Sequence, residues 1–329
     1  MPAVDSFLLL LSHVAGIGTV TLKKAAELLQ TVSVPYSQDE HLDFLRELKM
    51  HAPQFKKEVS LALLDQAWTK HDKVAELARR HGVVTISIND AAYPAQLKLL
   101  RDAPYFLDVR GDTKYLTGRN VAVIGTREVT SHGQLLGRRL TDRLLKEGLT
   151  IVSGLAIGCD TVAHQAAVDA EAPTIAVLAG GLDKIYPKEN SKLADQIERR
   201  GCLMSEYRCG VAPMAQMFVQ RDRLQSGLSL GVVVIETGVK GGTMHTVGFA
   251  QQQGRRLACL YTHQLPDFAA QWSEAEKFQG NRQLVLEGKA VPLTDPASIQ
   301  RFIDSLSQAV ESGFAGANQA RPDQQLSFL

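Results

Sequence analysis

Asn120-Val121-Ala122-Val123-Ile124-Gly125-Thr126-Arg127 is the stretch that decides the fold. Four aliphatic residues run into a glycine turn, a helical pattern follows over 132–147, and a second aliphatic run, Thr150-Ile151-Val152, comes next. A strand that is apolar at every residue is covered on both faces, which is the situation of parallel strands joined through helices. The alternation continues outward, with helices over 160–170, 191–200 and 243–252 and strands over 174–178, 202–204, 232–235 and 257–260. It predicts an α/β, Rossmann-like, mostly parallel sheet with helices on both faces.

Upstream, apolar residues recur at intervals of three and four through 7–11, 20–29, 42–48 and 61–78, so residues 1–85 are expected to form a small all-helical domain. Val14-Ala15-Gly16-Ile17-Gly18 within it reads in two ways: as a helix-hairpin-helix turn with amides facing a phosphate, or as a plain turn in a bundle. Residues 83–110 read as a connector with short strands, and the Rossmann-like domain is expected over 86–305. A more polar stretch and a last helix over 296–310 follow, then a Gly-, Ala-, Asn-, Gln- and Pro-containing segment, so 306–329 is expected to be a flexible tail.

With 45% hydrophobic and 22% charged residues in 329, the chain has the profile of a globular protein. Its longest apolar runs fall far below the roughly 18 to 20 residues that span a bilayer, and Asp5 sits where a signal peptide would be basic, so the expected place is the cytoplasm, with no membrane contact. Cys159, Cys202, Cys209 and Cys259 lack the short spacings of zinc or redox pairs, and neither metal nor cofactor is expected. A formal net charge of +1 means that any nucleic-acid site must be a local cluster of basic residues.

Ligands of open parallel sheets sit beyond the carboxyl ends of the strands. Four segments there carry candidate residues. Gly125-Thr126-Arg127 offers a guanidinium that either grips phosphate or pairs with Glu128. Ser153-Gly154 and Gly158 open the next helix, where amides and the helix dipole favour an anion. Lys184, Lys188 and Asn190 follow Gly180-Gly181 around Tyr186-Pro187, a pattern suited to phosphate contact beside a stacking surface. Phe218, Arg221 and Arg223, taken with Gly241-Gly242-Thr243, combine an aromatic, two guanidiniums and a second helix entry; Asp222 between the arginines offers a structural ion pair instead.

An enzymatic reading is weaker. The dinucleotide pattern Gly-x-Gly-x-x-Gly is absent, which removes an NAD reading. His164 is either a base or a packed helix residue. Asp160 and Glu236 are the carboxylates that a nucleotide-cleaving enzyme would use, but Gly241-Gly242-Thr243 lacks the glutamate such enzymes carry one turn later. No enzymatic activity is expected.

In order, VAVIGTR (121–127), IVSGLAIGCDTVAHQAA (151–167), TIAVLAGGLDKIYPKEN (174–190), SEY (205–207), FVQRDRLQSGLS (218–229), VVVIETGVKGGTMHTVGFA (232–250) and FQGNRQLV (278–285) resemble the DNA-processing protein A (Smf) family. The resemblance implies single-stranded DNA in a basic pocket, a homodimer, and loading of the RecA recombinase. Arg127 matches the family's phosphate-gripping arginine, Lys188 its basic loop, and Phe218, Arg221 and Arg223 its Phe-Pro-x-Arg-Asn-Arg block. Val219 and Asp222 depart from the Pro and Asn of that block, and a carboxylate at 222 weakens the pull on phosphate. An alternative that divergent members suggest is regulation of a toxin partner in a phage-defence module. Finally, Gln325-Leu326-Ser327-Phe328-Leu329 is similar to the short peptides that dock on the polymerase sliding clamp, through Gln325, Leu326, Phe328 and Leu329.

Overall fold

The computed structural model describes residues 2–261 and 276–311. Four helices come first, α1 (Ala3–Leu11), α2 (Thr19–Leu28), α3 (Gln38–His51) and α4 (Leu61–Arg80). Their apolar stripes, Leu8, Leu11, Leu45, Leu48 and Leu64 among them, meet in one core that also takes Tyr105 and Phe106 from the sheet domain. Asp5, buried in α1, accepts from Ser87 Oγ at 2.8 Å, Asn89 Nδ2 at 3.1 Å and Tyr105 OH at 3.2 Å. The bundle is therefore tied to the sheet by a polar network as well as by apolar packing.

The sheet contains β1 (Val83–Ser87), β2 (Phe106–Gly111), β3 (Asn120–Ile124), β4 (Thr150–Ser153), β5 (Thr174–Val177), β6 (Cys202–Ser205), β7 (Gly231–Val234), β8 (Arg256–Leu260) and β9 (Val291–Leu293). Their order is β1-β2-β6-β5-β4-β3-β7-β8-β9. From β6 to β9 all neighbours are parallel, whereas β1 and β2 add antiparallel to the β6 edge. The segment expected as a connector is thus the sheet's own margin, satisfying an edge that would otherwise be open.

The remaining helices are α5 (Ala95–Lys98), α6 (Ser131–Lys146), α7 (Cys159–Asp169), α8 (Ser191–Arg200), α9 (Ala215–Gly227), α10 (Thr243–Gln252), α11 (Gln279–Leu286) and α12 (Pro296–Glu311). Alternation along β3 sends Val121 and Val123 to the face covered by Leu140, Leu144 and Ala163 of α6 and α7. Ala122 and Ile124 go to the face covered by Leu224 of α9, Leu228 just after it, and Val247 and Ala250 of α10. This is the two-sided burial that the unbroken aliphatic strands require.

Two expectations change. Residues 217–223, read as a strand-end loop, lie inside α9; that helix buries Arg221, Asp222 and Gln225 beside Leu224, so its sequence lacks an apolar stripe. Residues 306–311, expected as part of a tail, belong to α12, and Leu306 is fully buried; residues 312–329 lie outside the described residues. Gln325, Leu326, Phe328 and Leu329 lie outside the described residues. Among the described residues no helix is long and apolar enough to cross a membrane, and no cluster of side chains is arranged to hold a metal ion.

Candidate functional site

The chain leaves β3 in one direction toward β4, β5 and β6 and returns to β7 on the other side, so the strand order reverses between β3 and β7. At such a reversal the flanking loops diverge and a crevice opens beyond the strand ends. A cavity of about 560 Å³ occupies it. Gly125, Thr126 and Arg127 after β3 form one wall; Thr237, Gly238, Lys240, Gly241 and Gly242 after β7 form the other. Phe218, Arg221, Asp222 and Gln225 of α9, Thr243, His245 and Thr246 of α10, Asp160 and Tyr186 also line the cavity. The second wall is held by buried Asn281, whose Nδ2 donates to Ile235 O and Leu260 O, both at 2.9 Å, while its Oδ1 accepts from Thr237 N at 2.9 Å.

The rim is cationic and aromatic. Arg127 is exposed, and its guanidinium carbon lies 5.7 Å from the centroid of the Phe218 ring. Phe218 in turn lies 5.5 Å from the ring of Tyr186, which is 52% exposed. Glu128, the alternative partner of Arg127, is paired with Lys277 instead. Across the cavity, Gly242 precedes α10 as its N-cap residue with no side-chain cap, and a Cβ built on Gly241 or Gly242 would meet nothing within 4 Å. Two of the first amides of α10 are already used, Met244 N donating to Gly241 O at 3.1 Å and His245 N to Gly242 O at 3.0 Å, which leaves the amide of Thr243 and the positive end of the helix dipole on the cavity side.

Below the rim the charges are internal. Arg221, 5% exposed, donates from Nη1 to Gly154 O at 2.7 Å and to Val177 O, and from Nε to Asp222 Oδ1 at 3.1 Å. Asp160 accepts from the amides of Gly154 at 3.1 Å and Ala156 at 3.2 Å, and burial pushes its carboxyl up. Burial likewise pushes Asp222 up to about 6, opposed by Arg221 and His245 and assisted by Asp160. Glu236 does not reach the cavity: fully buried, it accepts from Thr130 N at 2.9 Å and from Thr130 Oγ1, at the start of α6. His164 is fully buried with Nδ1 2.8 Å from Thr174 Oγ1, and burial holds it down to about 3, which makes it the packed helix histidine.

The structure brings Gly125, Thr126, Arg127, Phe218, Arg221, Gly241, Gly242 and Thr243 together around the cavity. Other candidates lie elsewhere or are already engaged. Arg223 sits two residues beyond Arg221 on a helix and so points away from the cavity. It is clamped by Glu206 at 2.8 Å and Asp102 at 2.5 Å. Gly154 and Gly158 are closed to any ligand: a Cβ on Gly154 would lie 2.2 Å from Arg221 Nη1, and one on Gly158, at φ +88°, 2.4 Å from Thr126 O. Ser153 Oγ donates to Val123 O at 2.7 Å, and Asn190 Nδ2 donates to Leu155 O at 2.9 Å, both as buried loop fasteners. Lys184 and Lys188 are exposed but do not line the cavity. Conversely, Gln225, Thr246, His245 and Lys240 were missed. For Gln225 a signal existed: Phe218, Arg221 and Gln225 are spaced three and four apart, the face of one helix.

Residues 84–304 match the family model described as DNA recombination-mediator protein A. The chain is 38% identical over 195 residues to the DNA processing protein DprA of Bacillus subtilis, covering 59% of this chain and 66% of that protein. It is 40% identical over 169 residues to Protein Smf of Escherichia coli, covering 51% and 45%. The matches thus span less than two thirds of these relatives. Among solved structures, the DNA processing protein A of Streptococcus pneumoniae superposes with a TM-score of 0.70 at 28% identity, over 92% of this chain and 98% of that one. The Helicobacter pylori DNA processing protein A, solved for its single-stranded DNA binding mode, gives 0.58 at 31% identity over 69% and 96%. A model match over two thirds of the chain, laid on a sheet whose reversal point carries the matching blocks, places this chain in the DNA recombination-mediator protein A family.

Proposed function

We propose that the chain binds single-stranded DNA across the mouth of the β3/β7 cavity. The observation that carries this reading is the ladder Arg127–Phe218–Tyr186 facing the uncapped start of α10. Exposed rings take the faces of unpaired bases, and a guanidinium and helix-terminal amides take the phosphates between them. A duplex buries its base faces in its own stack, so this geometry favours single strands. The named binding mode of the Helicobacter pylori relative supports the same ligand. The family's description as a recombination mediator supports the finer reading that the bound strand is handed to a recombinase; RecA as that recombinase, a homodimer and the cytoplasm complete the proposal on the motif resemblance alone.

A gel shift with single- and double-stranded oligonucleotides over a salt series tests the ligand. The single strand is expected to bind more tightly, with affinity falling as salt rises because phosphate contacts release counterions. Phe218→Ala is expected to weaken binding about ten-fold by removing the stacking platform. Equal affinity for both forms, insensitive to salt and to Phe218→Ala, overturns the reading.

A further inference from the structure

Arg127, the exposed cation of the rim, stands in the loop 125–130 between β3 and α6. On a free loop its guanidinium would have to be ordered by the arriving strand, which weakens binding. The last rung between β3 and β7 is Ile235 N donating to Ile124 O at 2.9 Å, and beyond it the two loops diverge. Glu236 bridges that divergence. Its main-chain oxygen accepts from Thr126 N at 2.7 Å, and its carboxylate accepts from Thr130 N at 2.9 Å and from Thr130 Oγ1. One residue therefore holds the loop on both sides of Arg127. On the outside Glu128 pairs with Lys277, but both are exposed and surface pairs contribute little.

We propose that Glu236 is the positioning residue of the phosphate contact: it does not touch the DNA, and it sets Arg127 at the rim before the strand arrives. The inference rests on the single-strand reading above and deepens it. The first turn of α6 is shaped to admit this carboxylate. Glu236 is fully buried beside Gly133, where a Cβ would lie 2.2 Å from its Cδ. Thr130 Oγ1 accepts from Gly133 N at 3.0 Å while it donates to Glu236, so a single hydroxyl joins the carboxylate to the positive end of α6. A buried network satisfied in this way specifies one arrangement of its members. The wall on which Glu236 stands is fixed in turn, because the next amide, Thr237 N, donates to Asn281 Oδ1 at 2.9 Å. The carboxylate that the sequence offers to a nucleotide-cleaving enzyme is thus a clamp between the strand-end loops on either side of the reversal.

The test is a double-mutant cycle with the full chain, read as fluorescence anisotropy of a labelled oligothymidylate over a salt series. The proteins are the wild type, Glu236→Gln, Arg127→Ala and the two changes together. Glutamine keeps the shape of the side chain but offers one acceptor where the carboxylate offers two. Glu236→Gln is expected to lower affinity about five-fold at low salt and to shift the salt slope toward that of Arg127→Ala. In the Arg127→Ala background the same change is expected to alter neither quantity. Loss of folded protein reduces the amount of binder and leaves the slope as it was, so the slope separates positioning from stability. Thr130→Val, which removes the hydroxyl, is expected to reproduce the effect, and Thr130→Ser, which keeps it, to restore wild-type binding; this pair carries the test if Glu236→Gln folds poorly. An equal loss from Glu236→Gln with and without Arg127, or wild-type affinity and slope in both Glu236→Gln and Thr130→Val, overturns the positioning role alone. Failure of the wild type to bind the strand overturns both the role and the reading beneath it.

Discussion

The loops that follow β4 and β7 are both rich in glycine, for opposite physical reasons. On the β4 side, Gly154 and Gly158 lack a side chain because the space is taken, by the Arg221 guanidinium and by the Thr126 and Arg127 carbonyls. On the β7 side, Gly241 and Gly242 lack one while nothing of the protein stands in the space. The first pair sustains the fold around a buried cation; the second leaves backbone amides accessible. A glycine-rich loop at a strand end is therefore a ligand seat in one case and a packing solution in the other.

Substitution separates the two loops. Gly154→Ala is expected to have the largest effect on stability, about 3 kcal/mol, because the new methyl displaces Arg221 from two carbonyls and leaves it buried without partners. Chemical denaturation reads this as a lowered midpoint; an unchanged midpoint shows that Arg221 is not the fastener described. At the rim, Arg127→Ala is expected to leave stability within about 0.5 kcal/mol of the wild type, to lower single-strand affinity about ten-fold at low salt, and to reduce the salt slope by about one. An unaltered slope removes Arg127 from the phosphate contacts.

Gly242→Ala completes the comparison with Gly154→Ala. Gly242 has an ordinary helical φ of −57° and open space around it, so the folded state is expected to tolerate the methyl within about 0.5 kcal/mol. DNA affinity is expected to fall a few-fold as the methyl stands over the amides; unchanged affinity places the strand elsewhere. The smallest expected effect is that of pH. Asp222 is charged above about 6 and neutral below, so affinity for oligothymidylate is expected to rise modestly as pH falls through that value. Arg221, Asp160 and His245 also face this carboxylate, so the comparison with Asp222→Asn isolates it. The variant is expected to show a flatter pH profile, and an identical profile assigns the effect to another group.

Much of the fold was legible locally. Unbroken aliphatic runs such as Val121–Ile124 and Val232–Ile235 announce strands buried on both faces, and the helices between them carry ordinary stripes. α9 escaped because its inward residues are Arg221, Asp222 and Gln225, whose burial depends on hydrogen bonds to partners distant in sequence. The site was legible in the same uneven way: Arg127 and Phe218 reach the cavity as expected, whereas Arg223 was grouped with Arg221 by adjacency and by the family block that both match.

Hydrophobic periodicity, being a local property of the chain, determined by itself a helical bundle ahead of a doubly covered sheet, and the order of its motifs pointed to the family. Which side chains share a cavity is not local. The reversal of strand order between β3 and β7, and the 100° turn between successive residues of α9, put Arg221 inside, Arg223 behind and Gln225 on the floor. The tertiary structure alone decided which glycines are filled and which are open, because that depends on atoms tens of residues away in the chain.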